Sequence, residues 1–230
     1  MISSTVENYL KRIYLEQQTD PKALVPMGKL AAVMQVVPGT ATAMVKTLAD
    51  SGLLEYEPRG GIRLTAGGEQ LALHVLRRHR IIELFLVNHL GLDWSEVHAE
   101  AETLEHAVSD KVLERMDTLL NHPRFDPHGD PIPPAKGRMP TESWIPLPAV
   151  PAGQRAQIAQ LSDQDPAFLQ FIERNALTPG TEIYVASYDP QADAVTLNVP
   201  DGSHITLGGA AAEKIMVRLG RVSQCGTRVP

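Results

Sequence analysis

The 230-residue chain has one cysteine, Cys225, few aromatic residues (5%) and no long uninterrupted apolar segment. A single cysteine excludes an intrachain disulfide and a thiolate cluster. No apolar run approaches the ~20 residues that a membrane span needs. The N-terminus also lacks the apolar core of a signal peptide, so the sequence indicates no membrane partner. We therefore expect a cytoplasmic protein.

The charge of the chain is distributed unevenly. The net charge of -6 argues weakly against nucleic-acid binding. Residues 1–80, however, carry ten basic and seven acidic side chains, whereas residues 81–120 carry two basic and nine acidic ones. A mildly basic segment followed by a strongly acidic one indicates two units with different partners.

The basic segment has the pattern of a winged helix-turn-helix. A first helix over "SSTVENYLKRIYLEQQ" is followed by a short helix at 27–34, the turn "VPGT" and a third helix at 40–52. Two short strands, "LLEYEP" and "IRLT", then flank an Arg-Gly-Gly turn. In such a domain the third helix enters the major groove of double-stranded DNA.

Small hydroxyls and basic groups stand where DNA contacts are expected. The candidate DNA-binding residues are Gly39, Thr40, Thr42, Lys46, Arg59 and Arg63. Lysine and arginine suit phosphate, and the two arginines flank the wing turn. The alternative is a small helical domain whose hairpin only packs, because threonine is also common at helix starts.

A helical section follows, and a β module ends the chain. Apolar spacing predicts a long helix from about Thr65 to His89 and two more at 93–107 and 109–120, with enough apolar surface to pack against a second subunit. Residues 123–153 hold nine of the eighteen prolines and indicate a linker. One helix at 166–177 and short strand-like runs then predict a small barrel-type module.

Two predicted helices each present a histidine and carboxylate face. Positions i, i+4, i+7 and i+8 share one side of a helix. In the acidic segment these positions hold His98, Glu102, Glu105 and His106, and the long helix adds His79 and Glu83. Imidazole and carboxylate are ligands of divalent Mn, Fe, Co and Zn, and clustered carboxylates repel unless a cation neutralises them.

Other uses of these faces remain open at this point. Acidic helix residues are often only solvated, and the faces could merely stabilise a dimer of a constitutive DNA-binding protein. A metal-dependent enzyme or metal-storage bundle with a winged domain is a further alternative. The chain has no H-E-x-x-H, no Glu-x-x-His pair and no Gly-rich phosphate loop, so we expect no enzyme.

Five segments of the chain are distinctive: "ENYLKRIY", "GTATAMVKTLADSGL", "RRHRIIELFL", "VHAEAETLEHAVSD" and "GDPIP". In these segments, and over nearly its whole length, the chain resembles the diphtheria toxin repressor family of iron- and manganese-dependent transcriptional regulators. The resemblance implies a mainly α fold: a winged helix-turn-helix domain at 1–72, a helical metal-binding and dimerisation domain at 73–140, a Pro-rich linker at 141–153 and an SH3-like (FeoA-like) β-barrel at 154–230.

The resemblance also implies two metal sites per subunit. One uses His79, Glu83 and His98, with Asp163 or Gln164 of the C-terminal module as candidates to complete it. The other, regulatory site uses Glu102, Glu105 and His106, together with Asn8 from the first helix.

The regulatory site departs from the family pattern in two ways. Iron sensors of the family carry Cys and Met at the positions of Glu102 and Asn8, and exchanging sulfur for oxygen favours Mn(II) over Fe(II). The manganese regulators, however, have acids at the positions of Asn8 and Lys11, and a protonated lysine cannot coordinate. We therefore expect a homodimeric repressor of metal-uptake genes that senses Mn(II), with Fe(II) as the second possibility, and binds a palindromic operator.

Overall fold

The computed structural model describes residues 3–20, 22–135, 139–200 and 202–219. Cys225 lies outside these ranges. Among the described residues, no helix combines the length and apolar character needed to cross a membrane.

The N-terminal domain has three helices and a hairpin, as predicted. They are α1 (Ser4–Thr19), α2 (Met27–Val33), α3 (Pro38–Asp50), β1 (Leu54–Glu57) and β2 (Gly61–Leu64). The Ser3 hydroxyl caps α1 by accepting from the Val6 amide, and Pro38 occupies the first turn of α3, where its missing N–H costs nothing. β1 and β2 pair antiparallel, with Leu54 opposite Leu64.

One core joins α1 to α3. Tyr9, Leu10 and Ile13 of α1 pack in the same buried cluster as Val45 and Leu48 of α3. The apolar positions of α1 recur at helical spacing, so one face is buried while the polar positions Glu7 and Asn8 remain on another. Because the two helices share this close-packed core, a shift of α1 would also shift α3.

Three helices follow, close to the predicted bounds. They are α4 (Ala66–Leu90), α5 (Trp94–Leu104) and α6 (Asp110–Leu119). The Ser109 hydroxyl caps α6 by accepting from the Val112 amide.

The C-terminal module is built on an antiparallel sheet. Its elements are β3 (Ile145–Pro146), β4 (Arg155–Leu161), α7 (Pro166–Arg174), β5 (Glu182–Asp189), β6 (Ala194–Asn198), β7 (His204–Gly208), α8 (Gly209–Ala212) and β8 (Ile215–Leu219). The six strands lie in the order β3-β8-β4-β5-β6-β7. Part of the Pro-rich segment is thus folded: β3 forms the edge of the sheet beside β8, where proline is tolerated. β4 was not predicted from the sequence.

Candidate metal centre and DNA-reading face

Side chains of α1 meet the segment that follows α5. His106 donates from Nδ1 to Glu7 Oε2 at 2.5 Å, and its Nε2 lies 2.9 Å from Asn8 Oδ1. Its Nε2 also lies 3.3 Å from Glu105 Oε1. The structure therefore brings Asn8, Glu105 and His106 together, although nearly a hundred residues separate Asn8 from the other two.

Lys11 lies between the two acidic residues of the predicted regulatory site. Its ammonium donates to Glu102 Oε1 at 2.9 Å and to Glu105 Oε1 at 2.6 Å, and Arg12 adds a contact of 3.3 Å to Glu102. Burial alone raises the pKa of Glu102. The charge and hydrogen bond of Lys11, helped by His79 and Arg12, outweigh burial and hold that pKa below its ordinary value.

His79 also contacts this region. It donates from Nδ1 to Glu105 Oε2 at 2.7 Å. Since Lys11 binds the other carboxylate oxygen, Glu105 is held from both sides, and it is almost completely buried. The family resemblance assigns His79 and Glu105 to different metal sites and does not predict their contact.

The first predicted ligand set is brought together. His79 and Glu83 stand one turn apart on α4, and His98 donates from Nδ1 to Glu83 Oε1 at 3.1 Å. One ligand atom from each of His79, Glu83 and His98 lies within 4.8 Å of the other two.

A second group, which sequence reasoning missed, shares Glu83. Ligand atoms of Glu83, Asp126 and His128 also lie within 4.8 Å of one another, and all three residues are buried. Asp126 Oδ1 accepts from the backbone amides of His128 and Asp130, both at 2.9 Å, so the loop orients its own carboxylate. The available signal was "DPHGD", an acid and a histidine two residues apart within the Pro-rich segment.

The loop that carries Asp126 and His128 is fastened to β4. The Leu161 amide donates to the His128 carbonyl at 2.9 Å, and Gln160 donates to Asp130 at 2.6 Å. Gly129 has φ +86°, and a Cβ there would lie 2.0 Å from the Ala159 carbonyl oxygen. Only glycine permits this close approach.

Asp163, which with Gln164 is a candidate from the C-terminal module, belongs to neither group. Asp163 instead accepts from Lys214 at 2.6 Å. This hydrogen bond holds the pKa of Asp163 below its ordinary value despite the opposing effect of burial. Their role as ligands stays a prediction.

The donors present fit a divalent cation of intermediate to hard character. They are carboxylate oxygens, imidazole nitrogens and the amide oxygen of Asn8, which are ligand types of Mn(II), Fe(II) and Zn(II). Among the described residues, however, Glu102, Glu105 and His106 do not form a third close group of ligand atoms. Lys11 lies between the two carboxylates.

The candidate DNA-binding residues of α3 lie at its exposed side. Gly39, Thr40 and Lys46 are exposed, and nothing lies within 4 Å of where a Cβ on Gly39 would stand. Thr42 is half-buried and donates its hydroxyl to the Pro38 carbonyl at 2.8 Å. The first turn of α3 therefore has room for a DNA backbone or base edge.

The two wing arginines differ. Arg59 is exposed at the turn of the hairpin, with φ 68°. Arg63 is half-buried and donates to the Lys22 carbonyl at 2.7 Å. Arg59 is thus available for a phosphate, whereas Arg63 already ties the hairpin to the loop before α2.

Three family models match successive parts of the chain. An iron dependent repressor N-terminal DNA binding domain matches residues 1–62, and an iron dependent repressor metal binding and dimerisation domain matches residues 65–134. A FeoA domain matches residues 145–219. The matches confirm the predicted fold: a DNA-binding domain, a helical dimerisation domain and an SH3-like module.

Known proteins similar to the chain are transcriptional regulators rather than enzymes. An uncharacterized HTH-type transcriptional regulator of Methanocaldococcus jannaschii is 40% identical over 119 residues, which is 52% of this chain and 94% of that protein. The iron-dependent repressor IdeR of Mycobacterium tuberculosis is 29% identical over 227 residues, covering 93% of this chain and 96% of IdeR.

Solved structures agree with this assignment. The structure of a manganese-dependent transcriptional repressor in complex with manganese has a TM-score of 0.82 and 37% identity, and the match covers 94% of this chain and all of that one (100%). The predicted resemblance is confirmed. The chain belongs to the iron-dependent repressor family, which includes the diphtheria toxin repressor, and is a metal-dependent transcriptional repressor that binds DNA.

Proposed function

We propose that the protein represses transcription as a Mn(II)-activated homodimer on a palindromic operator, with Fe(II) as the second candidate activator. Its targets would be genes of metal uptake, since repression under metal sufficiency then limits import. The single observation that carries the proposal is the meeting of Asn8 with Glu105 and His106, because it connects a metal-ligand set to the first helix of the DNA-binding domain.

The regulatory site would use Asn8, Glu102, Glu105 and His106. A divalent cation bound there would supply the positive charge beside the two carboxylates that the Lys11 ammonium supplies in this structure. Asn8 offers its amide oxygen from α1, and His106 offers an imidazole nitrogen. Because α1 shares a core with α3, holding α1 in place sets the orientation of the DNA-reading helix.

Manganese is favoured by the donor types. Glu102 supplies oxygen where the family's iron sensors have sulfur, and Mn(II) binds carboxylate oxygen more readily than soft sulfur. The solved manganese repressor complex is a similar structure, which supports this choice. Neutral Asn8 is a weaker ligand than an acid, so we expect moderate affinity.

A second site per subunit would use Glu83. This carboxylate belongs both to the His79–Glu83–His98 group and to the group with Asp126 and His128. One ion near Glu83 could draw on either group, so we propose two metal ions per subunit, one near Glu83 and one regulatory. Asp163 and Gln164 remain candidates to complete the former.

Dimer formation is supported by the matched dimerisation domain and by an apolar stripe on α6. Val112 and Leu119 stand two turns apart and are 46% and 64% exposed. Two-fold symmetry would separate the reading helices by about one DNA turn, ~34 Å, or a multiple of it, as a palindromic operator requires.

The test is operator binding by the wild type and by Glu105→Ala, with and without Mn(II) or Fe(II). We expect metal to raise the DNA affinity of the wild type and to have little effect on the variant. Glu100→Ala is the control, because Glu100 is an exposed acid of α5. Equal DNA affinity with and without metal would show a constitutive DNA-binding protein instead.

A further inference from the structure

A buried lysine occupies the place between the two carboxylates of the regulatory set. Only 2% of Lys11 is exposed, and its Nζ is 2.9 Å from Glu102 Oε1 and 2.6 Å from Glu105 Oε1. A buried ammonium is costly unless it is paired, and here two acids pair with it. One cation shared by two carboxylates is also the charge arrangement that a bound metal ion creates.

The ammonium and a metal ion cannot both use these oxygen atoms from the same position. Hard divalent cations bind oxygen at about 2.0–2.6 Å. The two oxygen atoms already surround Lys11 Nζ at hydrogen-bond distance. A dication beside the ammonium would also meet strong repulsion, because Coulomb energy between close charges is large where water is excluded.

From this arrangement we propose that Lys11 is an internal counter-cation that holds Glu102 and Glu105 in the metal-free protein and must be displaced before a divalent metal binds them. The inference rests on the proposed regulatory site. Displacing Lys11 costs its two ion pairs, which lowers the apparent metal affinity and raises the metal concentration at which the protein responds. The lysine thereby sets the threshold of the sensor.

Lys11 also attaches α1 to the segment that carries Glu102 and Glu105. Together with the His106 contacts to Glu7 and Asn8, it holds α1 against residues 102–106. Metal binding is therefore an exchange of one cation for another at the same carboxylates, rather than the first closure of an open site.

The first experiment measures Mn(II) binding by isothermal titration calorimetry on full-length, chelator-treated protein. Lys11→Gln removes the charge and keeps much of the side-chain length. We expect it to bind Mn(II) about tenfold tighter or more at the regulatory site, the size of effect that one broken buried pair can produce. The control is Lys29→Gln, which removes an exposed lysine paired with Glu16 and should leave the affinity unchanged.

Glu105→Ala separates failure of the inference from failure of the proposed site. If Glu105→Ala loses a binding event but Lys11→Gln binds no tighter than the wild type, the regulatory site stands and the counter-cation role is wrong. If Glu105→Ala binds Mn(II) with the wild-type affinity and stoichiometry, the regulatory site itself is wrong, and the inference falls with it.

A second experiment needs no variant and so does not depend on whether Lys11→Gln folds. The wild type is acylated with an N-hydroxysuccinimide acetate with and without saturating Mn(II), and each lysine is quantified by mass spectrometry. We expect Lys11 to be protected without metal and reactive with it, while the exposed Lys29 reacts in both. Protection of Lys11 that persists at saturating Mn(II) would overturn the proposal.

Discussion

His79 Nδ1 lies 2.7 Å from Glu105 Oε2, which joins a residue of the first predicted ligand set to a residue of the regulatory set. We therefore expect a metal ion bound at either set to change the environment of the other. If binding at one set changes the affinity of the other, linkage requires the reverse effect to be equal.

This contact predicts different outcomes for two histidine variants. His79→Gln should weaken Mn(II) binding at both sites, because Glu105 loses the imidazole that orients its Oε2 and the Glu83 site loses a ligand. His98→Gln should weaken the Glu83 site alone. Calorimetry with metal analysis distinguishes these outcomes, and His74→Gln, on the exposed side of α4, is the control. If His79→Gln and His98→Gln lose Mn(II) affinity equally at each site, the two ligand sets are not coupled through His79.

Position 8 should tune the response to metal. Asn8→Asp places a carboxylate beside His106 Nε2, which is 2.9 Å from the amide oxygen in the wild type. A charged oxygen is the stronger ligand, so we expect Mn(II) affinity to rise about tenfold, a change of ~1.4 kcal/mol. Asn8→Ala should lower it. The measurement is the Mn(II) concentration that gives half-maximal operator binding, and a response unchanged in both variants would remove Asn8 from the site.

Arg59 of the wing and Lys46 of α3 should each contribute a phosphate contact to DNA binding. Arg59→Ala should weaken DNA binding and reduce the slope of log affinity against log salt by about 1, as expected for one phosphate contact. Lys46→Ala on α3 should behave in the same way. Fluorescence anisotropy at several salt concentrations provides the slopes, and slopes unchanged from the wild type would show that neither side chain contacts phosphate.

Arg63→Ala should instead lower the thermal stability of the N-terminal domain. Its guanidinium donates to the Lys22 carbonyl at an exposed position, and a typical hydrogen bond contributes about 0.5–1.5 kcal/mol. We expect a lower melting temperature, measured by circular dichroism, with the salt slope of DNA binding unchanged. A normal melting temperature combined with a reduced slope would return Arg63 to the DNA-contacting set.

The ion pair of Asp163 with Lys214 predicts a small dependence of stability on acid pH. The folded protein holds the pKa of Asp163 below its ordinary value, so the pair stabilises the fold above that ordinary value. The contribution is lost as the pH falls through the lowered pKa. Asp163→Asn should therefore be slightly less stable near neutral pH and show a shallower loss of stability on acidification, which urea titrations at several pH values would detect. Identical pH profiles would show that the pair contributes nothing.

Local patterns predicted the elements that carry the candidate sites. The apolar spacing of residues 65–89 predicted α4 almost to its ends, because a helix is built from contacts three and four residues apart. The same spacing placed His79 and Glu83 on one face. β4 was missed since its sequence, "RAQIAQL", has small and polar residues where a strand usually has branched ones.

Contacts between distant segments could not be predicted in this way. Sequence reasoning treated Lys11 as the loss of a ligand, and only the packing of α1 puts its ammonium between Glu102 and Glu105. Asp126 and His128 lie in a Pro-rich segment without periodicity, more than forty residues after Glu83. Their meeting depends on the path of the chain, which no local pattern encodes.

The attachment of the Asp126–Gly129 loop to β4 has an evolutionary consequence. A gene that lost its 3′ portion would encode a chain without the strand against which Gly129 closes, and Asp126 and His128 would no longer be oriented. The contacts among Asn8, Lys11, Glu105 and His106 involve no residue of that strand. Shortened descendants would therefore keep the contacts that join α1 to the regulatory set and lose the orientation of Asp126 and His128, so the two groups of side chains could diverge at different rates.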